Sequence, residues 1–420
     1  RYLADGSSDV NRIASAAYLK TLMLVYSNFS SNSEVTTLFV QLICSLSAIE
    51  SCKPAIIQSG IIAKVIASTQ AFPDAHELLF AVAGAISYLA MKGSTVCESF
   101  HKFGAESVLI CALKAEDVPA DTAILIASVF PSFFQIKMEP ELFVQQGGID
   151  ALLSTAKHYP DDVTLHGYFM GCLSVLTNVL SLRPALAKSE VLDFALAGEI
   201  LCQEEEEFVI YGATLFSVVV ENDAWIRENH VAFFEALVIV LSTFPESRDV
   251  AVSISELCLS AMDYLWSHGV QYFMKDAAAE AAVLYIDTFM NDRQVVTDCC
   301  SLLNRCEALA DEIQFKILTT SLTVLATYSK DAKIHLACAE MLRTLALNPN
   351  ATAKMLRLEI YNPLMKSLNT FSSSPSHVEA ILQVLIVMLS DHSVPNSFVT
   401  LNNTKILYYV AGEYRETPQI

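Results

Sequence analysis

The chain has 420 residues, 53% of them apolar and 17% charged, and a net charge of −20. That apolar content excludes general disorder and supplies a large core. The acidic excess excludes nucleic acid as the main ligand, because phosphate binding needs clustered Lys and Arg; it also disfavours anionic membrane surfaces and favours basic partners.

Eleven cysteines are scattered through apolar segments, among them Cys44, Cys111, Cys172, Cys258 and Cys338, and no CxxC pair occurs. They read as buried free thiols of a reducing compartment, so the expected location is cytoplasmic, with cytoskeletal or ciliary association as an option. The chain opens on Arg1 and leaves any upstream targeting signal open. The longest apolar stretch, residues 208–220, is broken by Tyr211, Gly212, Thr214 and Ser217, so membrane insertion is not expected. The N-x-S/T matches at Asn28, Asn350 and Asn402 read as chance occurrences.

Taken in order, the chain reads as helix after helix. A partial unit over residues 9–29 comes first. Residues 76–113 then serve as the template: a helix, a glycine-containing break, a short helix, a single glycine and another helix. Leu78, Val82, Ile86 and Leu89 follow helical spacing, as do Ile334, Cys338, Leu342 and Leu345. These helices are apolar on two faces and are expected to lie between others. A break recurs at Ser59-Gly60, Phe103-Gly104, Gly147-Gly148, Ser189-Glu190 and Asn229-His230. Read from Gly60, Gly104, Gly148, Glu190 and His230, the steps are 44, 44, 42 and 40 residues. A helical repeat of that length predicts an α-solenoid. The glycines allow two helices to meet at a sharp angle, which the later units must make by other means.

Polar turns follow each such helix, at residues 72–74, 115–117, 159–162, 203–207, 244–247, 291–292, 329–331 and 372–376, with Pro ending one helix and Asp or Ser capping the next. They divide a single domain, 1–420, into about ten units: 1–32, 33–73, 74–117, 118–160, 161–203, 204–246, 247–291, 292–330, 331–374 and 375–420. The unit at 291–330 is short and irregular, and irregular terminal units are expected as caps.

The stretch PELFVQQGGIDALLSTAKH, from Pro140 to His158, is similar to the "vieaGGIpaLvelL" segment of armadillo repeats, and LSVLTNVL, ending at Leu180, to their "alwaLsNla" helix. Residues 56–66 and 97–113 echo the first pattern, and residues 78–90 and 334–346 the second. The whole chain thus resembles an armadillo-repeat protein, with HEAT repeats as close cousins. The resemblance implies an all-α, right-handed superhelix whose third helices line a concave groove that grips an extended partner segment. In the import adaptors of that family the groove carries Trp and Asn pairs. Here the Trp-equivalent positions are Gln41, Gly84, Glu256, Glu340 and Val384, and the Asn-equivalent positions are Ser45, Tyr88, Ser260, Thr344 and Met388. Only Asn178 survives as a ladder Asn, and Trp225 and Trp266 fall elsewhere, so a nuclear-localisation-signal receptor is disfavoured. The candidate partner-binding set is Gln41, Ser45, Tyr88, Asn178, Glu256, Ser260, Glu340 and Thr344, in which Gln41, Glu256 and Glu340 suit a basic segment.

No G-x-G-x-x-G, Walker A, G-x-S-x-G or H-E-x-x-H motif occurs, so no catalytic, cofactor or metal residue is assigned and no cofactor is expected. His158 and His166 read as ordinary turn and helix residues rather than shared ligands. Cys299, Cys300 and Cys306, the first and last on one helical face, read as small buried hydrophobes rather than a zinc or redox site. Glu204–Glu207 reads as a solvated loop at the positive end of the next helix, with a docking patch for a basic partner as the alternative. Trp225 reads as a packing anchor on a short first helix. Phe133, Phe134, Tyr408 and Tyr409 read as core, and as partner contacts if exposed. The expected function is a non-enzymatic scaffold that binds partner proteins and sits in a larger complex. The alternatives are a structural part of a cytoskeletal or ciliary assembly, an exchange-factor-like regulator of a small GTPase, and a carrier of a basic peptide.

Overall fold

A computed structural model describes residues 16–135, 140–268, 275–306, 309–390 and 401–413; every regular element among them is a helix. Residues 9–15 of the partial first unit, the connection 391–400 within the last unit and the side chains of Trp266 and Asn402 lie outside the described part. The fold is an all-α solenoid, and its contacts gather into two compact units, Arg1–Glu221 and Asn222–Ile420.

The first unit runs α1 (Ala16–Phe29), α2 (Ser33–Ser47), α3 (Lys53–Ser59), α4 (Ile61–Ala71), α5 (His76–Ala90), α6 (Ser94–His101) and α7 (Ala105–Leu113). It continues through α8 (Ala120–Phe134), α9 (Pro140–Gln145), α10 (Gly148–His158), α11 (Val163–Leu176), α12 (Arg183–Leu186), α13 (Ser189–Leu201) and α14 (Glu206–Phe216). The long helices α2, α5, α8, α11 and α14 pack each on the next, and α4, α7, α10 and α13 form a second layer beside them. The expectation that the doubly apolar helices lie between others holds: α5 buries Leu78, Val82, Ile86 and Leu89 together with Ala81, Ala83 and Ala85. Side chains stitch neighbouring repeats. Thr155 Oγ1 donates to Leu113 O at 2.9 Å, and Tyr159 Oη to Val118 O at 2.8 Å.

Glycine makes the sharp angle here. Gly60 (φ 70°), Gly104 (φ 75°) and Gly147 (φ 77°) stand between a short helix and the second-layer helix after it, in the left-handed region that other residues enter only at a cost. At the third break the turning residue is Gly147, one position before the expected Gly148. Gly148 has a different role: a Cβ there would lie 2.3 Å from the Phe143 ring. That ring is fully buried and held against Phe130 and Phe134, at centroid distances of 4.8 and 5.3 Å. Gly104→Ala is therefore expected to cost about 1 kcal/mol of backbone strain and Gly104→Asn less, since Asn tolerates this conformation. Gly148→Ala should cost about 1–3 kcal/mol through overpacking, and Gly148→Asn more. Urea unfolding of the four variants checks this, and an Asn that helps at both positions would overturn it.

The second unit runs α15 (Asp223–Thr243), α16 (Arg248–Ser267), α17 (Lys275–Thr288), α18 (Arg293–Asn304), α19 (Asp311–Thr327), α20 (Ala332–Ala346), α21 (Pro349–Arg357), α22 (Tyr361–Thr370), α23 (Pro375–Ser390) and α24 (Leu401–Glu413). Here α16, α18, α20 and α23 pack in series, as do α15, α17, α19 and α22. The expected break at Asn229-His230 is absent, because α15 passes through it without interruption. No glycine offers a left-handed turn there, and Asn229 Nδ2 instead donates to Trp225 O one turn back, at 3.0 Å. Trp225 accordingly lies on a long helix, buried against Phe233 at 6.3 Å as a packing anchor. The units from α15 to α19 are helix pairs; the short first helix returns as α21. The turn after α21 places Glu359 at φ 54°. Its N–H donates to Leu356 O at 3.2 Å and that of Ile360 to Met355 O at 3.1 Å, a Schellman closure with glutamate where glycine is usual.

Aspartates cap and stitch this unit together. Asp292 accepts from Gln294 N and Val295 N at the start of α18, and Arg248 Nε, from the preceding repeat, donates to its other oxygen at 2.6 Å. Asp331 caps α20 in the same way and meets Arg293 Nη2 at 3.2 Å. These are among the Asp caps expected from the polar turns.

Candidate functional site: the solvent face of the long helices

The long helices bury most of their surface against neighbours, and what they leave in solvent differs: α2 keeps a full row exposed, whereas α5 exposes nothing beyond its first turn. On α2 that row is Glu34, Leu38, Gln41 and Ser45, at helical spacing. Ser45 Oγ donates to Gln41 O at 3.0 Å, so both residues stand on the exposed face. Tyr88 on α5 is half-buried; burial first, with Cys44 and Asp121 nearby, pushes its phenol up. Gly84 lets α2 approach closely, since a Cβ there would lie 2.9 Å from Cys44 Sγ. Asn178, just beyond α11, is exposed, and its Nδ2 donates to Val175 O at 3.4 Å.

In the second unit Glu256 and Ser260 are exposed on α16, and Glu340 and Thr344 are half-buried on α20. Helix α18 packs between these two helices. Sequence reasoning passed over its contribution. Asp298 is nearly buried and takes a hydrogen bond from Gln294 at 2.7 Å; burial first, then the nearby Glu256 carboxylate, pushes its carboxyl up. Asn304 Oδ1 accepts from Thr344 Oγ1 at 2.6 Å, which ties Thr344 to its neighbour. The signal for both lay in the unit set aside as irregular, whose α18 is a regular, well-capped helix.

The most developed feature of the face lies between α11 and α14, and it too was not foreseen. Gly167 and Gly171 are one turn apart on α11. A Cβ at Gly167 would lie 2.3 Å from the Phe208 ring, and one at Gly171 would lie 2.9 Å from the Tyr211 ring. The two rings of α14 therefore rest directly on the backbone of α11. Tyr168 stands edge-on to Phe208 at 5.8 Å, and the Tyr211 hydroxyl donates to the Glu207 carboxylate. Burial and Glu207 push the Tyr211 phenol up to about 12. Glu204–Glu207 are all exposed; Glu206 and Glu207 form the first turn of α14 rather than a free loop.

Beneath that seam lies a carboxyl group with no partner. Glu199 on α13 is fully buried, and neither side-chain oxygen has a hydrogen-bond partner. Burial pushes its pKa well above the usual carboxylate range. It fills the space that the missing side chain of Gly212 leaves: a Cβ there would lie 1.8 Å from Glu199 Oε2.

The remaining candidates resolve into packing. His166 is buried and stacked on Phe194 at 5.3 Å, while His158 is exposed, so the two share no site. Cys299, Cys300 and Cys306 are buried, with burial pushing Cys299 to about 12. Cys306 lies beyond the end of α18 at Asn304, so the expected shared helical face with Cys299 does not exist; its thiol donates to Leu302 O at 3.4 Å. Cys111 is exposed, contrary to the reading of it as buried, because it falls on the outward side of α7. Phe133 is core, whereas Tyr408 and Tyr409 of α24 are exposed. Among the described residues no single helix is long and apolar enough to cross a membrane.

No protein-family model matches the chain, and no curated protein does. Solved structures match over its whole length. One is an engineered protein, 14% identical, with 98% of this chain and 95% of that chain covered at a TM-score of 0.52. Another comes from work on a conserved phosphorylation switch that controls the interaction between cadherin and beta-catenin: 13% identity, coverage of 100% and 98%, and a TM-score of 0.48. At such identity the likeness to the engineered protein is one of fold.

Proposed function

We propose that the chain is an armadillo-type, non-enzymatic scaffold of a reducing compartment, and that it holds an extended segment of a partner protein along the solvent face of its long helices. The carrying observation is the row Glu34, Leu38, Gln41 and Ser45 on α2, kept in solvent by a helix otherwise given to the core. Leu38, 61% exposed, gives that otherwise polar row an apolar member for a partner to cover. Serial packing sets the outer edges of successive helices side by side, with Thr164 and Tyr168 exposed on α11, which suits a partner that lies across several units. With a net charge of −20, the chain favours partners with basic segments.

A photo-crosslinking residue placed at Gln41, Tyr168 or Glu256 should join the chain to partner protein in native lysate. The same residue at Asp150 or Lys157, exposed on α10 in the other layer, should not. Adducts that form only from α10 would overturn the reading.

A further inference from the structure

We infer that the ring shelf between α11 and α14 is a binding site for an arginine side chain of a partner segment. The inference rests on the scaffold reading and specifies one subsite of it. Three aromatic side chains converge there: Tyr168, 37% exposed, and the half-buried Phe208 and Tyr211. Their arrangement is fixed from below. Phe208 and Tyr211 lie on Gly167 and Gly171, where any side chain would displace them. Tyr211 is further held by its bond to Glu207, while Tyr168 meets Phe208 edge-on and stays partly exposed.

Such a group of rings offers electron-rich faces to a cation, with an attraction of about 0.5–1 kcal/mol at an exposed site and more when desolvated. The Glu207 carboxylate stands at the edge of the shelf, with the exposed Glu204 close in sequence. A planar guanidinium can stack on a ring and present its N–H groups to a carboxylate in the same plane; an ammonium has neither the plane nor the fork. The negative charge of the chain admits such a ligand and opposes an acidic one. Tyr168 is partly exposed against Phe208, and the shelf meets the acidic run through the bond of Tyr211 to Glu207.

The test uses two fluorescent peptides of equal charge, (Gly-Arg)4 and (Gly-Lys)4, titrated with the full chain and followed by anisotropy. The arginine peptide should bind about threefold tighter, the expected worth of a planar stack and forked hydrogen bonds that an ammonium does not make. Tyr168→Ala should abolish that preference and Tyr168→Phe keep it, since the ring and not the hydroxyl is used. Glu207→Gln should weaken the arginine peptide more than Glu116→Gln, which removes the same charge at an exposed position away from the shelf. Circular dichroism establishes that each variant is folded. Equal binding of the two peptides, or an arginine preference that survives Tyr168→Ala, would overturn the site. Crosslinks from Gln41 and Glu256 to a partner would persist in that case, so the scaffold reading stands or falls separately.

Discussion

Gly212→Ala is expected to lower stability by about 1–3 kcal/mol, the usual range for a methyl forced into a filled interior. The new Cβ would lie 1.8 Å from Glu199 Oε2 and 3.4 Å from Met170 Sδ. Glu199 is wholly enclosed, so its carboxyl has nowhere in solvent to turn. The cost should depend on that side chain being present. In a chain already carrying Glu199→Ala, the substitution Gly212→Ala should be close to neutral, because the alanine methyl then enters the vacated space. Urea denaturation of the four proteins gives the coupling directly, expected at about 1–3 kcal/mol, within the range for residues in contact. Additive effects of the two substitutions would show that Gly212 is required for some other reason.

Glu199→Gln should change how stability depends on pH. The folded chain keeps a proton on Glu199 that the unfolded chain releases near the ordinary glutamate value of about 4.3, because burial raises the folded pKa. Over that window the folded state binds more protons than the unfolded state. Stability therefore falls as pH rises from the unfolded value toward the folded one, by at most about 1.4 kcal/mol per pH unit. Below the unfolded value both states are protonated and the contribution is intact. Glutamine has nearly the same shape and no proton to lose, so the stability of the variant relative to the parent should rise steadily as pH increases above 5. Parallel stability–pH curves would refute this account. Glutamate is thus tolerated as a neutral acid in a site it fills by shape.

How far the sequence foretold this fold depends on what each residue requires. Gly60 and Gly104 announce their role because a positive φ is a property of one residue and its neighbours. Asp162, Asp292 and Asp331 announce theirs because a cap bonds within three residues of itself. The break expected at Asn229-His230 had only spacing behind it, and continuous helical hydrogen bonding through α15 prevailed over register. Glu359 shows the opposite case, a left-handed turn with no glycine to mark it. Of the positions placed by the family resemblance, Gln41, Ser45, Asn178, Glu256 and Ser260 are exposed, whereas Tyr88, Glu340 and Thr344 are half-buried. The ring shelf was not foreseen, because it needs two glycines on α11 to face two aromatics on α14, a repeat away. Glycines four apart in a helix, followed one repeat later by aromatics three apart, are the pattern that would have revealed it.

The dipeptide Asp292-Arg293 looks both ways along the second unit. Its acid receives Arg248 from the repeat before, and its base reaches Asp331 in the repeat after. A repeat built in this manner is complementary to copies of itself, head to tail. Duplicated in tandem, it would find its ion-pair partners already in place on either side, with no new contact to be invented. The series ends at Asp331, which is followed by Ala332 instead of arginine. The two side chains of one dipeptide thus tie three successive repeats together.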